Sequence, residues 1–357
     1  MDAVRPTRAA EKDRLAQVDA VLGRMFTLAR KRAEPLGAEV VELWDRIEAN
    51  TVGGKRFRPR MVFAAYGALG GRDLDAAAYV GAAFELLHTA LLLHDDVIDR
   101  DFVRRGAPNL AGSFRDRARE RGVGDREAEH LGLSAAVIAG DLALFNSYRL
   151  IDRSGVGSGM RERLLEVMDE ALFTAAAGEL IDVDFSLIPE VPRVDDILAM
   201  ERLKTAVYSF EAPLQAGALL AKAPDETVTT LGEFGRDIGI AYQLVDDLLG
   251  VFGQEDETGK TTIGDLREGK RTVIAAYAAS APGWDEVAGG FGDPDLDEMG
   301  AAALRHHMID CGAKSFAQGL ARYHANRALA RLVEPHIPAA LRAELHPVAD
   351  AVLGRAR

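Results

Sequence analysis

The chain has 357 residues and a formal net charge of -13; 48% of its residues are hydrophobic and 6% are aromatic. This acidity argues against a general nucleic-acid-binding or anionic-membrane surface, because phosphate groups attract basic proteins, and it leaves room for a local basic cluster. Cys311 is the only cysteine, which excludes intramolecular disulfides and favours a reducing cytoplasm. The first residues lack the apolar core of a signal peptide, and no uncharged apolar run approaches the roughly 18 residues of a membrane span. We expect a cytoplasmic protein with no nucleic-acid partner and no stable membrane insertion.

Apolar residues recur at helical spacing along most of the chain, and no period-two alternation is long enough for a sheet. Residues 1–11 are polar and are expected to be frayed. Helices are predicted approximately over 15–28, 38–49, 59–68, 74–99, 131–151, 161–181, 195–210, 231–251, 273–279 and 299–332. Loops are predicted over 115–129, 253–272 and 281–297. The sequence therefore predicts an all-α, single-domain bundle over 1–357, with roughly ten or more helices around a central apolar cavity.

The apolar helix predicted over 74–99 ends in three aspartates, Asp95, Asp96 and Asp99. At about 100° per residue, Asp95 and Asp99 share one helical face, with Asp96 beside them. Magnesium suits such a cluster, because it takes one or two carboxylates and accepts further oxygens from water and substrate phosphate. Arg104 and Arg105 follow, with a planar geometry that fits phosphate. In isolation the segment is better explained as a solvated acidic turn, and the rest of the chain reverses that preference.

A second acidic helix end is predicted near residue 250, where Asp246 and Asp247 follow Gln243 by about one turn. Other polar residues stand out in less specific surroundings. His88 lies about two turns before Asp95 on nearly the same face, although a lone histidine there is more often a hydrogen-bonded core residue. Asp141 lies in an apolar stretch, where a buried carboxylate needs a metal or, equally well, a helix-packing ion pair.

Several cations lie in segments that are ordinary by themselves. Gly53 to Pro59 reads Gly-Gly-Lys-Arg-Phe-Arg-Pro and contains Lys55 and Arg58. Lys204 and Thr205 lie on a predicted helix, where a lysine usually extends to solvent. The glycine-rich run 253–272, predicted to be a mobile loop, contains Lys260 and Lys270. Together with the acidic helix ends, these cations indicate a site for a substrate with several phosphate oxygens and, since the helices are apolar, a hydrocarbon tail.

From about Gly53 to Thr272 the sequence resembles the trans-isoprenyl diphosphate synthase family. The motifs Gly-Gly-Lys-Arg-Phe-Arg-Pro, Asp-Asp-x-x-Asp, Arg-Arg-Gly, Lys-Thr, Gln-x-x-Asp-Asp and Gly-Lys with a later Lys occur in order, and His88 lies among them. The resemblance implies an isoprenoid synthase fold and a homodimer. It also implies that isopentenyl diphosphate condenses head to tail with allylic diphosphates.

The resemblance also implies residue roles. Metal ligands, for three magnesium ions per site with substrate bound, would be Asp95, Asp96, Asp99, Asp246 and Asp247. Isopentenyl diphosphate would be bound by Lys55, Arg58, His88 and Arg105. The allylic diphosphate would be bound by Arg104, Lys204, Lys260 and Lys270. Thr205 and Gln243 would face the developing cation.

The second acidic motif departs from the family pattern, because Gly250 stands where a third aspartate is common. Activity is still expected, since magnesium retains several waters and one can replace a carboxylate. A class I terpene cyclase shares the first aspartate motif, but it would leave the Gly-Gly-Lys segment and His88 unexplained. A non-catalytic partner subunit of a heteromeric synthase would be expected to lose the first aspartates.

Product length should depend on the wall of the helix before Asp95. Family members that stop at fifteen carbons resemble one another in having aromatic residues at the positions of Ala90 and Leu91. Here both are aliphatic, so the growing tail should pass. Phe84, eleven residues before Asp95 and roughly 16 Å along the axis, is the next candidate obstruction, although packing in the core explains it nearly as well. We expect geranylgeranyl diphosphate as the main product, with longer polyprenyl or farnesyl diphosphate as alternatives.

Overall fold

The computed structural model describes residues 8–52, 54, 56–104, 106–188, 190–253 and 262–355. These residues are overwhelmingly helical, which confirms the predicted all-α class. They divide into two compact units. One contains the described residues up to Met168 together with Ala216–Ala223; the other contains Asp169–Gln215 and the described residues from Pro224 onward. That the whole chain forms one domain stays a prediction.

The first unit begins with a series of helices, one of which is followed by a short hairpin. The helices are α1 (Arg8–Ala33), α2 (Ala38–Thr51), α3 (Phe57–Ala68), α4 (Leu74–Ile98), α5 (Leu110–Glu120) and α6 (Asp125–Asp152), with a 3₁₀ turn at Glu34–Leu36. The hairpin pairs β1 (Val103–Arg104) with β2 (Ala107–Pro108) in antiparallel register. The unit boundary falls within α7 (Ser158–Leu187).

The second unit continues with helices of very different lengths. They are α8 (Val194–Glu201), a π-helical segment (Arg202–Glu211), α9 (Ala212–Leu220), α10 (Asp225–Phe252), α11 (Gly264–Arg267), α12 (Val273–Ala279), α13 (Trp284–Val287), a 3₁₀ turn (Ala288–Gly290), α14 (Glu298–Asp310), α15 (Ala313–Arg331) and α16 (Ala339–Arg355). Of α9, only the part up to Gln215 belongs to this unit. Helix α10, which has the second acidic motif, packs on α15 and on the π-helical segment.

Helix α4 is central to the first unit and has clear sequence signals at its start and along its length. Its N-cap Asp73 accepts a hydrogen bond from the backbone N–H of Ala76 at 3.2 Å, which satisfies one otherwise unpaired donor of the first turn. Small buried residues such as Ala82 and Ala90 allow close contact with α6. Gly140 of α6 leaves room for the His94 ring of α4, because a Cβ there would lie 2.2 Å from Nε2 of His94.

Some predicted loops are helical. Residues 115–129, predicted to be a loop with at most exposed helix, contain the end of α5 and the start of α6. The charges belong to amphipathic helices: Arg117, for example, pairs with Glu42 of α2 at 2.5 Å. Residues 8–11, predicted to fray, begin α1, and Glu11 pairs with Arg60. Within 281–297, α13 and a 3₁₀ turn replace the continuous loop that was predicted.

Two helices, α4 and α6, are long and apolar enough to cross a membrane by length and composition alone. In α4, 78% of the most apolar stretch of 18 residues is buried within the protein, compared with 39% in α6. Core helices of water-soluble proteins pass the same test, so this is weak support for a membrane span. The absence of stable membrane insertion stays a prediction.

Candidate active site

The first acidic cluster lies at the C-terminal end of α4. Asp96 is buried and Asp95 is half-buried, whereas Asp99 is exposed and caps the helix. The β-hairpin brings Arg104 back onto this helix end. Its Nε and Nη2 donate to Oδ1 of Asp96 at 2.8 and 2.6 Å, and Nη2 also donates to Oδ2 of Asp95 at 3.2 Å. A protein cation therefore already contacts two of the predicted metal ligands.

Charge pairing and burial oppose each other at Asp96. Burial raises the pKa of the Asp96 carboxyl, the guanidinium of Arg104 lowers it, and the net pKa is raised above its ordinary value. For Arg104, burial lowers the pKa but the hydrogen bond and charge of Asp96 outweigh it, so that this pKa is raised. One arginine therefore does not fully compensate the cost of burying the Asp96 carboxylate.

The predicted isopentenyl diphosphate residues are only partly described. Arg58 is buried in α3 and His88 is half-buried in α4, both in the same unit as the first acidic cluster. Lys55 and Arg105, and likewise Lys260 of the allylic set, lie outside the described residues.

The segment before α3 is anchored to α4 by an ion pair. Arg56 adopts the left-handed conformation, with φ of 52°, and its guanidinium lies 3.3 Å from the carboxylate of buried Glu85. A non-glycine residue in this region of φ is uncommon and requires support from its surroundings. The carboxylates of Asp19, which accepts a hydrogen bond from Arg56 at 2.7 Å, and of Glu85 provide that support next to the predicted substrate-binding residues.

The second acidic cluster lies near the end of α10. Asp247 is buried and accepts a hydrogen bond from Nε2 of Gln243 at 2.9 Å. Burial raises the pKa of Asp247 to about 6, although the charge of Lys270 and the Gln243 hydrogen bond lower it. Asp246 is half-buried, one residue earlier in the helix.

Glu201, at the end of α8, joins this cluster, and Lys270 is the cation that acts on it. It is 4% exposed, and neither carboxylate oxygen accepts a hydrogen bond from a described N–H group. Burial first, and then the neighbouring Asp247 carboxyl, raise its pKa well above the ordinary value. Two acidic groups are thus buried together, which is costly unless a proton or a cation compensates them.

The cations of the second unit lie among carboxylates. Burial among protein atoms lowers the pKa of Lys270, but Asp247, Asp265 and Asp246 outweigh this and raise it. The Lys270 side chain nevertheless remains accessible to solvent. Lys204 Nζ lies 2.6 Å from the carboxylate of Asp182 and 3.0 Å from that of Glu179.

The π-helical segment places Lys204 and Thr205 against α7. A Cβ on Gly178 of α7 would lie 2.3 Å from the backbone nitrogen of Lys204, so this close approach requires glycine. Thr205 and Lys204 are both half-buried. π-Helical turns are rare and occur frequently at functional sites, which agrees with the predicted role of this pair.

The predicted chain-length residues are all on α4. Phe84 is 0% exposed and Ala90 is 1% exposed, while Leu91 is half-buried. Burial of Phe84 agrees both with a wall for a hydrocarbon and with ordinary core packing. Asp141 is not buried as the sequence suggested: its side chain is 70% exposed and lies 3.4 Å from His94. It therefore needs no metal.

No three His, Cys, Asp or Glu side chains converge as a ready metal cage within the part of the chain that the structure describes. Magnesium does not require one, because it usually binds through one or two carboxylates plus water and substrate phosphates. Partly accessible carboxylates, Asp95 in one cluster and Asp246 in the other, adjoin a buried one. The donor set of each cluster, all hard oxygens, therefore fits this ion.

Two acidic helix ends, each beside protein cations and built on apolar helices, define the class of all-α prenyltransferases. Residues 41–286 match the family model described as polyprenyl synthetase. The chain therefore belongs to the polyprenyl synthetase family.

Individual relatives agree with this assignment. Geranylfarnesyl diphosphate synthase of Aeropyrum pernix is 34% identical over 280 residues, covering 77% of this chain and 82% of the relative. (2E,6E)-Farnesyl diphosphate synthase of Mycobacterium tuberculosis is 31% identical over 314 residues, covering 85% and 80%. The structure of geranylgeranyl pyrophosphate synthase from Corynebacterium glutamicum, complexed with isoprenyl diphosphate and magnesium, has a TM-score of 0.85 and 29% identity, covering 95% of this chain and 99% of that one. The chain is a trans-prenyl diphosphate synthase.

Sequence reasoning assigned no partner or role to several carboxylates in and around the site. Glu85, Glu179 and Asp182 pair with cations, and Glu201 adjoins Asp247. For Glu201 a signal existed: it follows Ile197 by four residues and so lies on the apolar face of its helix. Nothing in the local sequence indicated which cation each of the others would pair with.

Proposed function

We propose that this protein is a magnesium-dependent synthase whose main product is geranylgeranyl diphosphate, made by head-to-tail condensation of isopentenyl diphosphate with allylic diphosphates. The observation that carries the proposal is the pairing of two acidic clusters with cations: Arg104 on Asp95 and Asp96, and Lys270 beside Asp246 and Asp247. The carboxylates suit a divalent cation and the cations suit a diphosphate.

Asp95, Asp96 and Asp99 would hold magnesium in one cluster, and Asp246 and Asp247 in the other. When bound, magnesium neutralises the diphosphate leaving group, which lowers the barrier to its departure. Arg104, Lys204 and Lys270 contribute further positive charge to that diphosphate. Because these cations are held by carboxylates before substrate binds, they are oriented in advance and lose less conformational entropy on binding.

The remaining steps use neutral or isopentenyl-side residues. The Thr205 hydroxyl and the Gln243 amide oxygen stabilise the allylic cation. The amide N–H of Gln243 donates a hydrogen bond to Asp247, so the amide oxygen is the atom that remains for this role. Arg58 and His88 orient isopentenyl diphosphate, whose double bond attacks the cation. Loss of a proton to the departing pyrophosphate completes the cycle. Apolar helix walls exclude water that would trap the cation.

The homodimer and the cytoplasmic location are further parts of this proposal. Helix α6 has large apolar side chains on its exposed face: Leu131, Val137, Ile138 and Phe145 are 41%, 41%, 53% and 63% exposed. Contiguous exposed apolar surface of this kind commonly marks a protein interface, and a second copy of the chain is the occupant that the family resemblance implies. Light scattering of the purified protein should give twice the monomer mass of 38.5 kDa; a monomer would contradict this part alone.

Product length is the finest part of the proposal and has the most direct test. Purified protein is incubated with isopentenyl diphosphate and each allylic primer, and the products are sized. We expect twenty carbons as the main length. Mainly fifteen or more than twenty carbons would assign the chain to the other product classes, and a hydrocarbon would indicate a cyclase.

Substitutions on α4 test whether the tail grows along this helix. Ala90→Phe or Leu91→Phe should shorten the product, because an aromatic ring would fill the wall close to Asp95, and Phe84→Ala should lengthen it. Truncating a buried phenylalanine costs about 3–5 kcal/mol of stability, so Phe26→Ala, at an equally buried ring of α1, is the matched control. A product distribution unchanged by all three substitutions would place the tail along another wall.

A further inference from the structure

The second acidic cluster has a carboxylate at the place where its helix lacks one. Gly250 follows Asp246 by four residues in α10, so a side chain there would lie on nearly the same helical face. The space is already filled: a Cβ on Gly250 would lie 2.0 Å from Oδ2 and 2.9 Å from Cγ of Asp265. The Asp265 carboxylate therefore occupies the volume into which a side chain at position 250 would extend.

A short, well-anchored turn holds Asp265 in this place. Its neighbour Leu266 is fully buried, and the Leu266 carbonyl accepts hydrogen bonds from the backbone N–H groups of Gly269 at 3.2 Å and Gly292 at 2.9 Å. The backbone N–H of Lys270 donates to the carbonyl of Asp265 at 3.0 Å. Gly269 has φ of +63°, which allows this turn to close. Asp265 is thus held by backbone contacts on both sides of the turn.

The charges around Asp265 favour a further cation. Asp265 acts electrostatically on both Asp247 and Lys270, and buried Glu201, which receives no hydrogen bond from a described N–H group, adjoins Asp247. The carboxyl groups of Glu201, Asp246, Asp247 and Asp265 all act on Lys270, with Lys204 as a second nearby cation. A divalent cation with oxygen ligands would stabilise the ionised forms of these carboxyl groups.

We propose that Asp265 supplies the third carboxylate of the second acidic cluster in place of Gly250, as an oxygen donor to a divalent cation or to its bound water. This inference rests on the proposed magnesium-diphosphate function. It identifies Asp265 as the residue that replaces the third aspartate, which the motif lacks because position 250 is glycine. A purely structural Asp265, which only pairs with Lys270, would affect stability and leave metal affinity unchanged.

Metal binding is tested with Mn²⁺ and inorganic pyrophosphate, by electron paramagnetic resonance or calorimetry on the full chain. Asp265→Asn should weaken at least one Mn²⁺ site about 10- to 100-fold, the range seen when groups that support a metal are removed. The magnesium concentration for half-maximal condensation should rise by a similar factor. Asp295→Asn, at an exposed carboxylate of the same unit, is the matched control and should change neither.

Two further variants separate metal binding from loss of fold. Gly250→Ala adds a methyl group that must displace the Asp265 carboxylate, so it should weaken the same Mn²⁺ site although alanine favours a helix by about 1 kcal/mol. The double variant Gly250→Asp with Asp265→Gly moves the carboxylate onto α10 and should restore much of the affinity. Circular dichroism and thermal unfolding report whether each variant is folded.

The outcomes distinguish this inference from the function on which it rests. If folded Asp265→Asn binds Mn²⁺ as the parent protein does and keeps its magnesium dependence, the role of Asp265 is overturned while the proposed function stands. If the parent protein shows neither pyrophosphate-dependent Mn²⁺ binding nor condensation, the proposed function fails first, and this inference with it.

Discussion

Each acidic cluster contains one buried carboxylate, but the two carboxylates have different hydrogen-bond partners. Asp96 is 2% exposed and receives two N–H donors from the guanidinium of Arg104. Asp247 is 3% exposed, receives one neutral amide donor from Gln243, and adjoins the carboxyl of Glu201. The pKa of both carboxyls is raised by burial. Asp96 has a hydrogen-bonded protein cation, whereas the pKa of Asp247 is about 6 despite the nearby charge of Lys270.

This difference indicates two ways of preparing a metal site. In the proposed function, metal at the first cluster would compete with Arg104, which the diphosphate also attracts. Binding of metal and substrate would therefore exchange one ion pair for others. At the second cluster, an added cation would favour the ionised forms of Asp247 and Glu201, whose pKa values are raised by burial. In the absence of substrate, metal should accordingly bind more tightly at the second cluster than at the first. The first cluster should bind metal best when the diphosphate is also present.

The largest expected effect follows from removing one carboxylate of either cluster. Asp95→Ala and Asp246→Ala should each reduce condensation about a thousandfold or more, because metal provides several kcal/mol of transition-state stabilisation and each 1.36 kcal/mol is a factor of ten. Incorporation of isopentenyl diphosphate measures this, and circular dichroism should show an intact helical fold. Near-normal turnover of either variant at saturating magnesium would contradict a role for that cluster in metal binding.

A smaller effect, on stability, distinguishes the pairing of the two buried carboxylates. Arg104→Ala leaves Asp96 without its cation and should lower the free energy of unfolding by about 3 kcal/mol, whereas Gln243→Ala removes a neutral hydrogen bond and should cost about 1 kcal/mol. Urea unfolding in EDTA measures both, and magnesium should recover more stability in the first variant, since it replaces the lost charge.

Arg119→Ala is the matched control for this comparison. Arg119 pairs at 2.8 Å with Asp125, whose side chain is 81% exposed, and such surface pairs contribute at most about 1 kcal/mol. If Arg104→Ala and Arg119→Ala lowered the free energy of unfolding equally, burial of the Asp96 carboxylate would not depend on its ion pair with Arg104.

The sequence predicted the helices of both clusters well, because their apolar runs are long. The predicted helix 74–99 corresponds to Leu74–Ile98, and the predicted helix 231–251 lies within Asp225–Phe252. It did not predict the hairpin that returns Arg104 to Asp96, since each strand has two residues and no alternation to detect. The π-helical segment at Lys204 was equally invisible, because its side chains fit an α-helical pattern.

Pairing between distant residues was the other limit. Asp265 lies in a segment predicted to be a loop, and its place against Gly250 depends on the buried Leu266 and on backbone hydrogen bonds. The residues next to Asp265 in the sequence do not indicate that it lies against Gly250. For the same reason Asp141 looked buried in its apolar stretch, although the face of α6 that contains it is exposed.

The last expected effect is a pH dependence that arises from Asp247 in the second cluster. The pKa of the Asp247 carboxyl has its ordinary value of 3.8 when the chain is unfolded and is raised to about 6 when it is folded, mainly because of burial. Between these values the folded chain binds more protons than the unfolded chain, so the contribution of Asp247 to stability is complete below about pH 4 and is lost as the pH rises through 6. For a single group the slope is at most about 1.4 kcal/mol per pH unit. Unfolding in EDTA at several pH values should therefore show the parent protein losing stability relative to Asp247→Asn as the pH rises from 4 to 7. Parallel curves for the two proteins would mean that Asp247 is not held in a raised-pKa state.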